Sequence, residues 1–494
     1  MSDVVVIGAG VGGLAAAARL AAGGHRVVVC EQAGVVGGKL GVLEVPTPAG
    51  TFRFDTGPSL LTVPQVLADL FRETGDPLET VLDLVALDPV ARYHFAGGTR
   101  LDVCADHELL CRRLDAAFGG AAGADWGRFW RRAERIWSAT SGPFLQAPVD
   151  LATLARQAVH LRALAAVAPG RTLRALGRSY LRDPRLQMMA ERYATYTGSD
   201  PRRAPAALAA VVYAELAFGG WYVLGGLRRV ADALLARCLE LGVQVRTGTD
   251  VRRVEVAGGR VHGVELAGGG RLAADVVVAN ADAAHVYGDL VAAPRELRRL
   301  HRVTPSLSGF VLLLGVTGRT PGLAHHNVCF PAGYDAEFDA VFGPHAGAVA
   351  EPALYVSAPD DPAARPAGHE AWFVLVNAPR HGEGPGAIDW TASGLAAGYA
   401  SHLLELLARR GLDVRDRLLF TRIRTPLDLQ RETRAPGGAI YGSSSNGMRA
   451  AFLRPANRSP IPGLFLVGGS AHPGGGLPLV LLSAQITAGL IGPA

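Results

Sequence analysis

Val4-Val5-Val6-Ile7-Gly8-Ala9-Gly10-Val11-Gly12-Gly13 decides the fold of this chain, together with Glu31, which ends a second apolar run at residues 27–30. The run 4–7 predicts a short buried strand, and the glycines predict a tight turn into an alanine-rich helix over residues 14–22. A strand, a glycine turn, a helix and a second strand that ends in an acid form the pattern of a dinucleotide-binding unit. The pattern therefore predicts an α/β fold with a bound dinucleotide near its amino end.

The residues of this turn have separate physical roles. Gly8 permits the tight turn, Gly10 lets the backbone approach a pyrophosphate, and Gly13 lets the helix pack against the strand. The phosphates are expected at the helix N-terminus, where free amide groups and the helix dipole favour negative charge. Glu31 is expected to accept hydrogen bonds from both hydroxyls of an adenosine ribose, and its charge disfavours a 2′-phosphate.

The composition is that of a large globular protein. The 494 residues predict two domains with substantial cores. The five cysteines include no Cys-x-x-Cys pair, which argues against disulfides and metal sites and favours a reducing compartment. The formal net charge is only +5, and no basic run is interleaved with aromatic residues, so no nucleic-acid partner is expected.

Neither end of the chain predicts a membrane span. The apolar N-terminus lacks a basic leader and already belongs to the first strand and helix. Residues 459–494 carry no charge, but glycine and proline interrupt them at 473–478 and leave only 477–491 as a helix. That is shorter than the ~20 residues a span requires. A buried helix and a cytoplasmic location are therefore expected.

Two motifs after the first unit bear on the identity of the dinucleotide. Gly37-Gly38-Lys39 follows the strand that ends in the acid. Phe54-Asp55-Thr56-Gly57-Pro58 follows after a short intervening segment, residues 40–53. A Gly-Gly-basic turn followed by Asp-x-Gly-Pro resembles the amine-oxidase-like FAD flavoproteins and, within them, the carotenoid desaturases. The resemblance implies that the Gly-Gly turn lies along the ribityl and pyrophosphate portion of FAD. Because no second glycine motif follows a strand, one bound FAD is expected.

Four further motifs extend the resemblance over nearly the whole chain. They are Phe-Gly-Gly-Trp-Tyr-Val-Leu-Gly-Gly at 218–226, Asp-Val-Val-Val-Ala-Asn-Ala-Asp at 275–282, Leu-Ala-His-His-Asn at 323–327 and Gly-Gly-Ser-Ala-His-Pro-Gly-Gly-Gly at 468–476. In this order they are similar to the motifs of phytoene desaturases. The resemblance implies an FAD-dependent enzyme that removes a hydride and a proton from a long acyclic carotenoid and that attaches to one membrane face.

The two domains are expected to be interleaved along the chain. Residues 1–75, 223–290 and 426–494 are assigned to an FAD-binding, Rossmann-like domain of the glutathione-reductase type, and 76–222 and 291–425 to an α+β substrate and membrane-facing domain. Within the first domain, strands at 243–245, 251–256 and 260–266 are predicted to form a meander, and 275–279 to return to the parallel sheet.

The residues assigned to FAD lie in these motifs or beside them. They are Gly8, Gly10, Gly12, Gly13, Glu31, Gly37, Gly38, Lys39, Asp55, Gly57, Pro58, Val251, Asn280, Gly468, Gly469, Ser470, Gly474, Gly475, Gly476 and Pro478. Pro478 suits the first position of a terminal helix whose dipole would stabilise the reduced flavin by about 0.3 to 2 kcal/mol.

Other candidates keep two interpretations. His472 is either a general base or a residue that orients the glycine loop through a backbone hydrogen bond. Trp221 and Tyr222 either wall a tunnel for the polyene or belong to the core. His325 and His326 are adjacent on a strand and point to opposite faces, so no metal site is expected.

Two departures from the family pattern bear on the function. Gly469-Ser470 stands where many FAD enzymes of this wider fold have Gly-Asp, so contact with the ribityl-phosphate is expected from backbone amides or from Ser470. Residues 438–446 and 474–479 resemble the branch that acts on desaturated or hydroxylated carotenoid ends, which includes terminal-methyl oxygenases. The alternatives are therefore such an oxygenase, with an aldehyde as product, or a flavin-free prenyl-binding escort protein, against which the intact glycine motifs argue.

The remaining partners follow from charge and from substrate chemistry. Residues 151–182 contain six arginines and neither Asp nor Glu. The arginines are embedded among Leu, Ala and Val. Such a stretch suits a helical surface on anionic lipid, and a solvated amphipathic surface is the alternative. Quinone or dioxygen is the expected electron acceptor.

Overall fold

A computed structural model describes residues 1–148, 167–447 and 450–494 of the chain. A parallel sheet of five strands forms the centre of the first domain. From one edge to the other its strands are Gln244–Arg246, Arg26–Cys30, Asp3–Ile7, Val276–Ala279 and Leu464–Leu466. Ile7 lies opposite Cys30 on one side and opposite Ala279 on the other. The predicted α/β fold is confirmed.

Three helices pack together beside this sheet, namely Val11–Ala22, Arg228–Glu240 and Leu477–Ile491. Residues 15–18 of the first helix are all alanine and are fully buried. Their small side chains allow the neighbouring helices to approach closely, and the apolar contacts form one core. The terminal helix contributes Leu481 and Ala484 to this core. Within the described parts of the chain, no helix is both long and apolar enough to cross a membrane.

One strand of the predicted meander lies elsewhere. Gln244–Arg246 pairs parallel with Arg26–Cys30 at the edge of the main sheet, because the helix Arg228–Glu240 carries the chain back across that sheet as a crossover. The antiparallel sheet consists instead of Val251–Ala257, Arg260–Leu266 and Arg271–Ala273.

The second domain is built on a mixed sheet of seven strands. Their order is Leu418–Arg424, Ser308–Thr317, His369–Ala378, Leu354–Ser357, His326–Cys329, Ala91–His94 and Arg100–Val103. The two ten-residue strands Ser308–Thr317 and His369–Ala378 pair along their full length. The helices of this part are His107–Phe118, Ala122–Thr140, Leu173–Tyr180, Pro184–Arg192, Ala209–Phe218, Asp335–Phe342 and Leu395–Arg409.

Shorter elements complete the fold. Val42–Thr47 pairs with Gly50–Asp55, and Arg380–His381 pairs with Ala387–Ile388. A three-stranded sheet has Gly220–Val223 at its centre, with Leu61–Thr62 on one side and Leu84–Ala86 on the other. The helices are Gln65–Thr74, Ala283–His285, Pro294–Leu300, Pro426–Thr433 and Ala450–Leu453, and single turns include Ser141–Leu145 and Tyr193–Thr197. The strands of the parallel sheet come from three separated chain segments. On this basis we propose the domain boundaries at 75, 222, 290 and 425.

Candidate functional site

A cavity of about 380 Å³ lies at the carboxyl ends of the parallel strands. The loops that leave these strands line the cavity. Gly8 follows the strand Asp3–Ile7, and Glu31 follows Arg26–Cys30. Asn280 follows Val276–Ala279, and Gly468 comes shortly after Leu464–Leu466. Ligands of open α/β sheets bind at this edge. The volume is within the roughly 300–1,000 Å³ of small-molecule and cofactor sites.

The cavity brings together most of the residues that the sequence predicts for FAD. The predicted residues that line it are Gly8, Gly10, Gly12, Glu31, Gly37, Gly38, Lys39, Gly57, Pro58, Val251, Asn280, Gly468, Gly469, Ser470, Gly475 and Gly476. They come from six regions of the chain that meet only through the fold.

Asn280 explains why three positions at this site are glycine. A Cβ at Gly8 would lie 2.6 Å from the Asn280 carbonyl oxygen, and one at Gly12 would lie 2.8 Å from Oδ1. A Cβ at Gly468 would lie 2.6 Å from the same Oδ1. The Asn280 amide also donates to the Gly8 carbonyl at 3.2 Å. The glycines therefore let two loops close over one asparagine, and their bare backbone forms the wall of the cavity.

Glu31 lines the cavity and holds its rim together. One carboxylate oxygen accepts from the Ala9 amide at 2.7 Å, and the other accepts from the Ala33 amide at 2.9 Å. Each oxygen keeps a further lone pair for a ligand hydroxyl. The side chain thus ties the first glycine turn to the end of the second strand, a role the sequence did not predict.

The second glycine turn joins separate segments of the first domain at the cavity. Gly37 pairs with Gly10 as an isolated parallel bridge, and a Cβ at Gly57 would lie 1.9 Å from the Lys39 carbonyl oxygen. The Lys39 ammonium faces the cavity and donates to the Ile440 carbonyl at 2.5 Å. Desolvation by the surrounding protein lowers the pKa of Lys39, and the nearby Asp282 carboxylate opposes that effect.

Arg454 organises the terminal loop. Its guanidinium donates to the carbonyls of Tyr441, Ser443 and Gly469 at 2.6 to 2.9 Å. Burial lowers the pKa of this arginine to about 10, and Asp282 opposes the shift. The residue therefore fastens the 441–443 stretch to the glycine loop while it brings a positive charge close to the cavity. No motif of the sequence pointed to it.

Ser470 lies in the terminal glycine loop beside Asp282. Its hydroxyl oxygen accepts from the Ala283 amide at 2.9 Å, and the residue lines the cavity. Burial raises the pKa of the adjacent Asp282, against hydrogen bonding from the Ala284 amide and the charge of Lys39. Asp282 supplies a carboxylate on this side of the cavity, although its neighbour in the sequence motif, Asn280, was the predicted ligand.

Four residues assigned to FAD do not line the cavity. The Asp55 carboxylate accepts from the Leu227 and Arg228 amides at 2.7 and 3.1 Å and so caps the helix Arg228–Glu240. Gly13 packs behind the first turn, where a Cβ would lie 2.1 Å from the Gly8 carbonyl oxygen. A Cβ at Gly474 would lie 3.6 Å from Leu479 and 3.7 Å from Arg454. Pro478 lies within the first turn of the terminal helix, whose cavity-facing residues are Leu477 and Val480.

His472 does not line the cavity either. Its Nε2 lies 3.0 Å from the carbonyl oxygens of both Phe144 and Ala147, and its ring packs edge-on against Phe144. Burial lowers its pKa to about 4, so that it is neutral near pH 7. A neutral ring whose Nε2–H is directed at two carbonyls has no proton acceptor on that nitrogen. This geometry fits the orienting role, and the assignment as a general base stays a prediction.

Trp221 and Tyr222 lie in a core strand. Trp221 donates to the Phe218 carbonyl at 2.9 Å, and Tyr222 donates to Asp361 at 2.9 Å. Tyr222 packs against His325 with ring centroids 4.6 Å apart. Neither aromatic residue lines the large cavity, so the assignment to a polyene tunnel is not supported by their position. Among the described residues no group of His, Cys, Asp and Glu is arranged to hold a metal ion.

The basic stretch predicted for the membrane is described only in part, because residues 151–166 lie outside the described residues. Arg174 is not free to meet lipid, since it pairs with Glu191 and Asp335 and its side chain is 11% exposed. Arg182 pairs with Asp125. Arg171 and Arg178 are exposed. The acids absent from the local sequence are supplied by distant segments of the chain.

Comparison with known proteins agrees with this geometry. Residues 11–492 match the model of flavin-containing amine oxidoreductases. The chain is 35% identical to a 4,4'-diapolycopene oxygenase from Methylomonas sp, over 98% of this chain and 96% of that protein. It is 36% identical to a hydroxyneurosporene desaturase from Rhodobacter capsulatus, with the same coverage of both proteins.

A solved structure of putrescine oxidase bound to putrescine shares the fold, with a TM-score of 0.66, 16% identity and coverage of 99% of this chain and 98% of that one. The chain belongs to the flavin-containing amine oxidoreductase family, within its carotenoid desaturase branch. It is an FAD-dependent oxidoreductase. The cradle of bare glycine backbone fits the group, and a Cβ at the cavity-lining Gly476 would project into open space.

Proposed function

We propose that this enzyme desaturates a long acyclic carotenoid, of the phytoene type or with an already desaturated or hydroxylated end, and so extends its conjugated polyene. The observation that carries the proposal is the composition of the cavity wall. One part of the cavity wall is apolar. It is formed by Val311, Phe373 and Leu375 of the second domain together with Ile440 of the first. A hydrocarbon chain placed along this wall would lie against the cofactor loops.

Each region of the chain contributes to cofactor binding in a definable way. The turn 8–12 and the helix Val11–Ala22 present free amides to the pyrophosphate. Glu31 accepts from the ribose, and the loops at 37–39 and 468–476 enclose the rest. When bound, FAD supplies the acceptor for a hydride from a carbon of the substrate. The first turn of Leu477–Ile491 lines the cavity and stabilises negative charge there by about 0.3 to 2 kcal/mol.

Two positively charged side chains near the cavity also stabilise negative charge, as the helix terminus does. Lys39 and Arg454 place two positive charges around Asp282. The apolar wall and the closed loops exclude water from the carbons that react. Exclusion of water also protects the reduced cofactor, a strong two-electron reductant, from side reactions.

Terminal-methyl oxygenation is the second candidate function. It is favoured by the similarity to the Methylomonas oxygenase over nearly the full length of both proteins. The two reactions differ in product, since desaturation gives an alkene and oxygenation gives an oxygenated end group. Quinone or dioxygen is the proposed electron acceptor, and the protein is proposed to be cytoplasmic and attached peripherally to a membrane from which it collects its substrate.

One experiment separates these functions from the escort alternative. The purified protein should carry flavin, seen by its absorbance, and should convert acyclic carotenoids presented in liposomes, with products separated by chromatography. Omission of dioxygen, with a quinone supplied, distinguishes the acceptors. A new alkene supports desaturation, whereas an aldehyde supports oxygenation. A protein that binds the polyene but carries no flavin and converts nothing would contradict both.

A further inference from the structure

A second cavity, of about 290 Å³, lies in the second domain and is separate from the cofactor cavity. Its described lining residues include none that lines the cofactor cavity. It opens to solvent, because Arg203, His301, Arg302 and Pro385 in its wall are exposed. The volume equals about ten water molecules at roughly 30 Å³ each, which is enough for a phosphate group with a small alcohol attached.

The wall of this cavity is basic. Arg203, Arg302 and Arg380 line it, and no Asp or Glu does among the residues that the structure describes. None of the three arginines has a carboxylate within 4.0 Å in the described ranges of the chain. The neighbouring Arg202, by contrast, pairs with two carboxylates. Three guanidinium groups are therefore gathered around one cavity without acidic partners.

Arg380 is half-buried, whereas the other two arginines are exposed. Its Nη2 donates to the Pro385 carbonyl at 2.9 Å, and its amide donates to the Gly386 carbonyl at 3.0 Å, so that its own hairpin orients it. Burial alone lowers the pKa of this arginine. A guanidinium has five N–H donors, and the bond to Pro385 leaves four of them for a ligand.

The ends of two helices account for only part of this charge. Pro294–Leu300 and Asp335–Phe342 both end beside the cavity, where His301, Val341 and Phe342 line it. The carbonyls at a helix C-terminus act as roughly half a negative charge, so the two ends offset about one of the three positive charges. The remaining positive charge favours an anion in the cavity.

The basic surface continues beyond the cavity. The Leu173 amide donates to the Ala204 carbonyl at 2.9 Å, and the Ala206 amide donates to the Arg171 carbonyl at 2.9 Å. These bonds place Arg203 next to the segment that carries the exposed Arg171. The cavity therefore lies at the edge of the stretch that the sequence predicts for anionic lipid.

We propose that this cavity binds a phosphate group, carried either by an anionic phospholipid headgroup or by a soluble phosphate ester. The planar fork of a guanidinium matches phosphate oxygens, and three such groups can share one tetrahedral anion. Continuity with the basic surface favours the headgroup, whose phosphate and glycerol match the volume of the cavity. The inference goes beyond the proposed function, since this binding requires neither flavin chemistry nor a carotenoid.

Two assays on the FAD-loaded protein separate the sources of the phosphate. Calorimetric titration with glycerol phosphate measures binding of the soluble ester, and glycerol alone is its neutral counterpart. Co-sedimentation with vesicles of phosphatidylcholine and phosphatidylglycerol measures binding of the headgroup, and vesicles of phosphatidylcholine alone are the reference. Glycerol phosphate should bind at one saturable site, whereas glycerol should not bind.

Paired variants test the assignment to the arginines. The cavity variant, R203Q with R302Q, removes two positive charges from exposed side chains and should keep its flavin. The matched control is R295Q with R298Q, because both arginines are exposed on the helix that ends at the cavity and neither lines it. Glycerol phosphate should bind the cavity variant at least about tenfold more weakly, because charge-assisted hydrogen bonds are lost. The control should stay within about twofold of the wild type, since exposed charges outside the cavity are screened.

The outcomes are distinguishable. Loss of vesicle binding in the cavity variant but not in the control assigns the site to a headgroup. If vesicles bind both variants alike and only glycerol phosphate discriminates between them, the site takes a soluble phosphate. If neither assay discriminates, or if the wild type binds neither probe, the arginines form an ordinary solvated surface and the inference is overturned. Flavin content and carotenoid conversion are measured separately, so failure of the proposed function leaves this result unchanged.

Discussion

The ring of Tyr441 lies directly on the backbone of Gly475. A Cβ at position 475 would be 2.3 Å from Cδ1 of this tyrosine. The tyrosine is held from the other side, since its amide donates to Ser306 Oγ at 3.0 Å and its carbonyl accepts from Arg454. Both residues line the cavity, so this contact fixes the distance between the terminal glycine loop and the segment that carries Tyr441.

Gly475→Ala should therefore lower turnover by at least about tenfold, because the loop or the ring must move within the site. Flavin content and turnover are measured together. Adding Tyr441→Ala should relieve the clash and restore part of the turnover, while Gly398→Ala is the control, since a Cβ there meets nothing within 4 Å. Full activity of the alanine variant would mean that the contact is not functional. Gly475→Val should be more severe.

Glu31→Arg should abolish retention of FAD. The substitution removes the acceptors of the Ala9 and Ala33 amides as well as those for the ribose, and an unpaired buried amide costs about 1 to 3 kcal/mol. Flavin absorbance of the purified variant is the measurement. The control is Glu44→Arg, because the Glu44 side chain is 58% exposed. This variant should retain its flavin. Undiminished flavin in the Glu31 variant would remove this residue from the site.

The sequence predicted the parts of the site that depend on local backbone. The turn at 8–13, Asn280 and the loop at 468–476 were recognisable because a glycine turn and the strand before it are neighbours in the chain. The packing of Gly13 against the strand was also anticipated, although its motif did not show that it stands back from the cavity.

The contacts of residues whose partners are distant in the chain were not predicted. Asp55 was read as a ligand, but its carboxylate caps a helix that begins 173 positions later. His472 was considered as a base, but it is bound to carbonyls more than 300 positions earlier. Arg454 carries no motif because its partners are backbone carbonyls, which any sequence can provide. Such contacts are decided by tertiary packing, on which local patterns carry no information.

Arg174→Glu should destabilise the second domain. The guanidinium is nearly buried and pairs with Glu191, which is also nearly buried. Reversal of the charge would leave carboxylates facing each other, and the loss of one member of a buried pair costs about 3 to 5 kcal/mol. Denaturant unfolding measures the change. Arg178→Glu, on the same helix but exposed, should cost far less. Equal stability of the two variants would contradict the assignment of the buried pair.

Membrane attachment is tested with exposed arginines alone. Arg171→Glu with Arg178→Glu should weaken binding to anionic liposomes strongly, since each charge near the surface contributes about 1 kcal/mol. The control reverses two exposed arginines of the first domain, Arg252 and Arg271, whose side chains are both 71% exposed. Co-sedimentation is compared at low and high salt, because screening should remove the difference. If both double variants sediment alike, attachment lies elsewhere.

His472 should make the protein sensitive to acid. Its pKa is about 4 in the folded state, against an ordinary value of 6.5, so the folded state favours the neutral ring. The contribution to stability is present in full above pH 6.5 and is lost as the pH falls toward 4. A shift of this size corresponds to about 3 kcal/mol. His472→Gln keeps a donor for the Phe144 and Ala147 carbonyls but cannot be protonated.

The free energy of unfolding, measured by denaturant at pH 7.5 and at pH 5, should therefore fall less in His472→Gln than in the wild type. Carboxylates contribute to acid sensitivity in both proteins, and the difference between them isolates the histidine. His301 is exposed, so His301→Gln should lose as much free energy of unfolding between pH 7.5 and pH 5 as the wild type does. If His472→Gln also loses as much as the wild type, the His472 ring is not held neutral by its burial. A variant with intact flavin content and turnover at pH 7.5 would also show that the histidine orients the loop without taking a proton from the substrate.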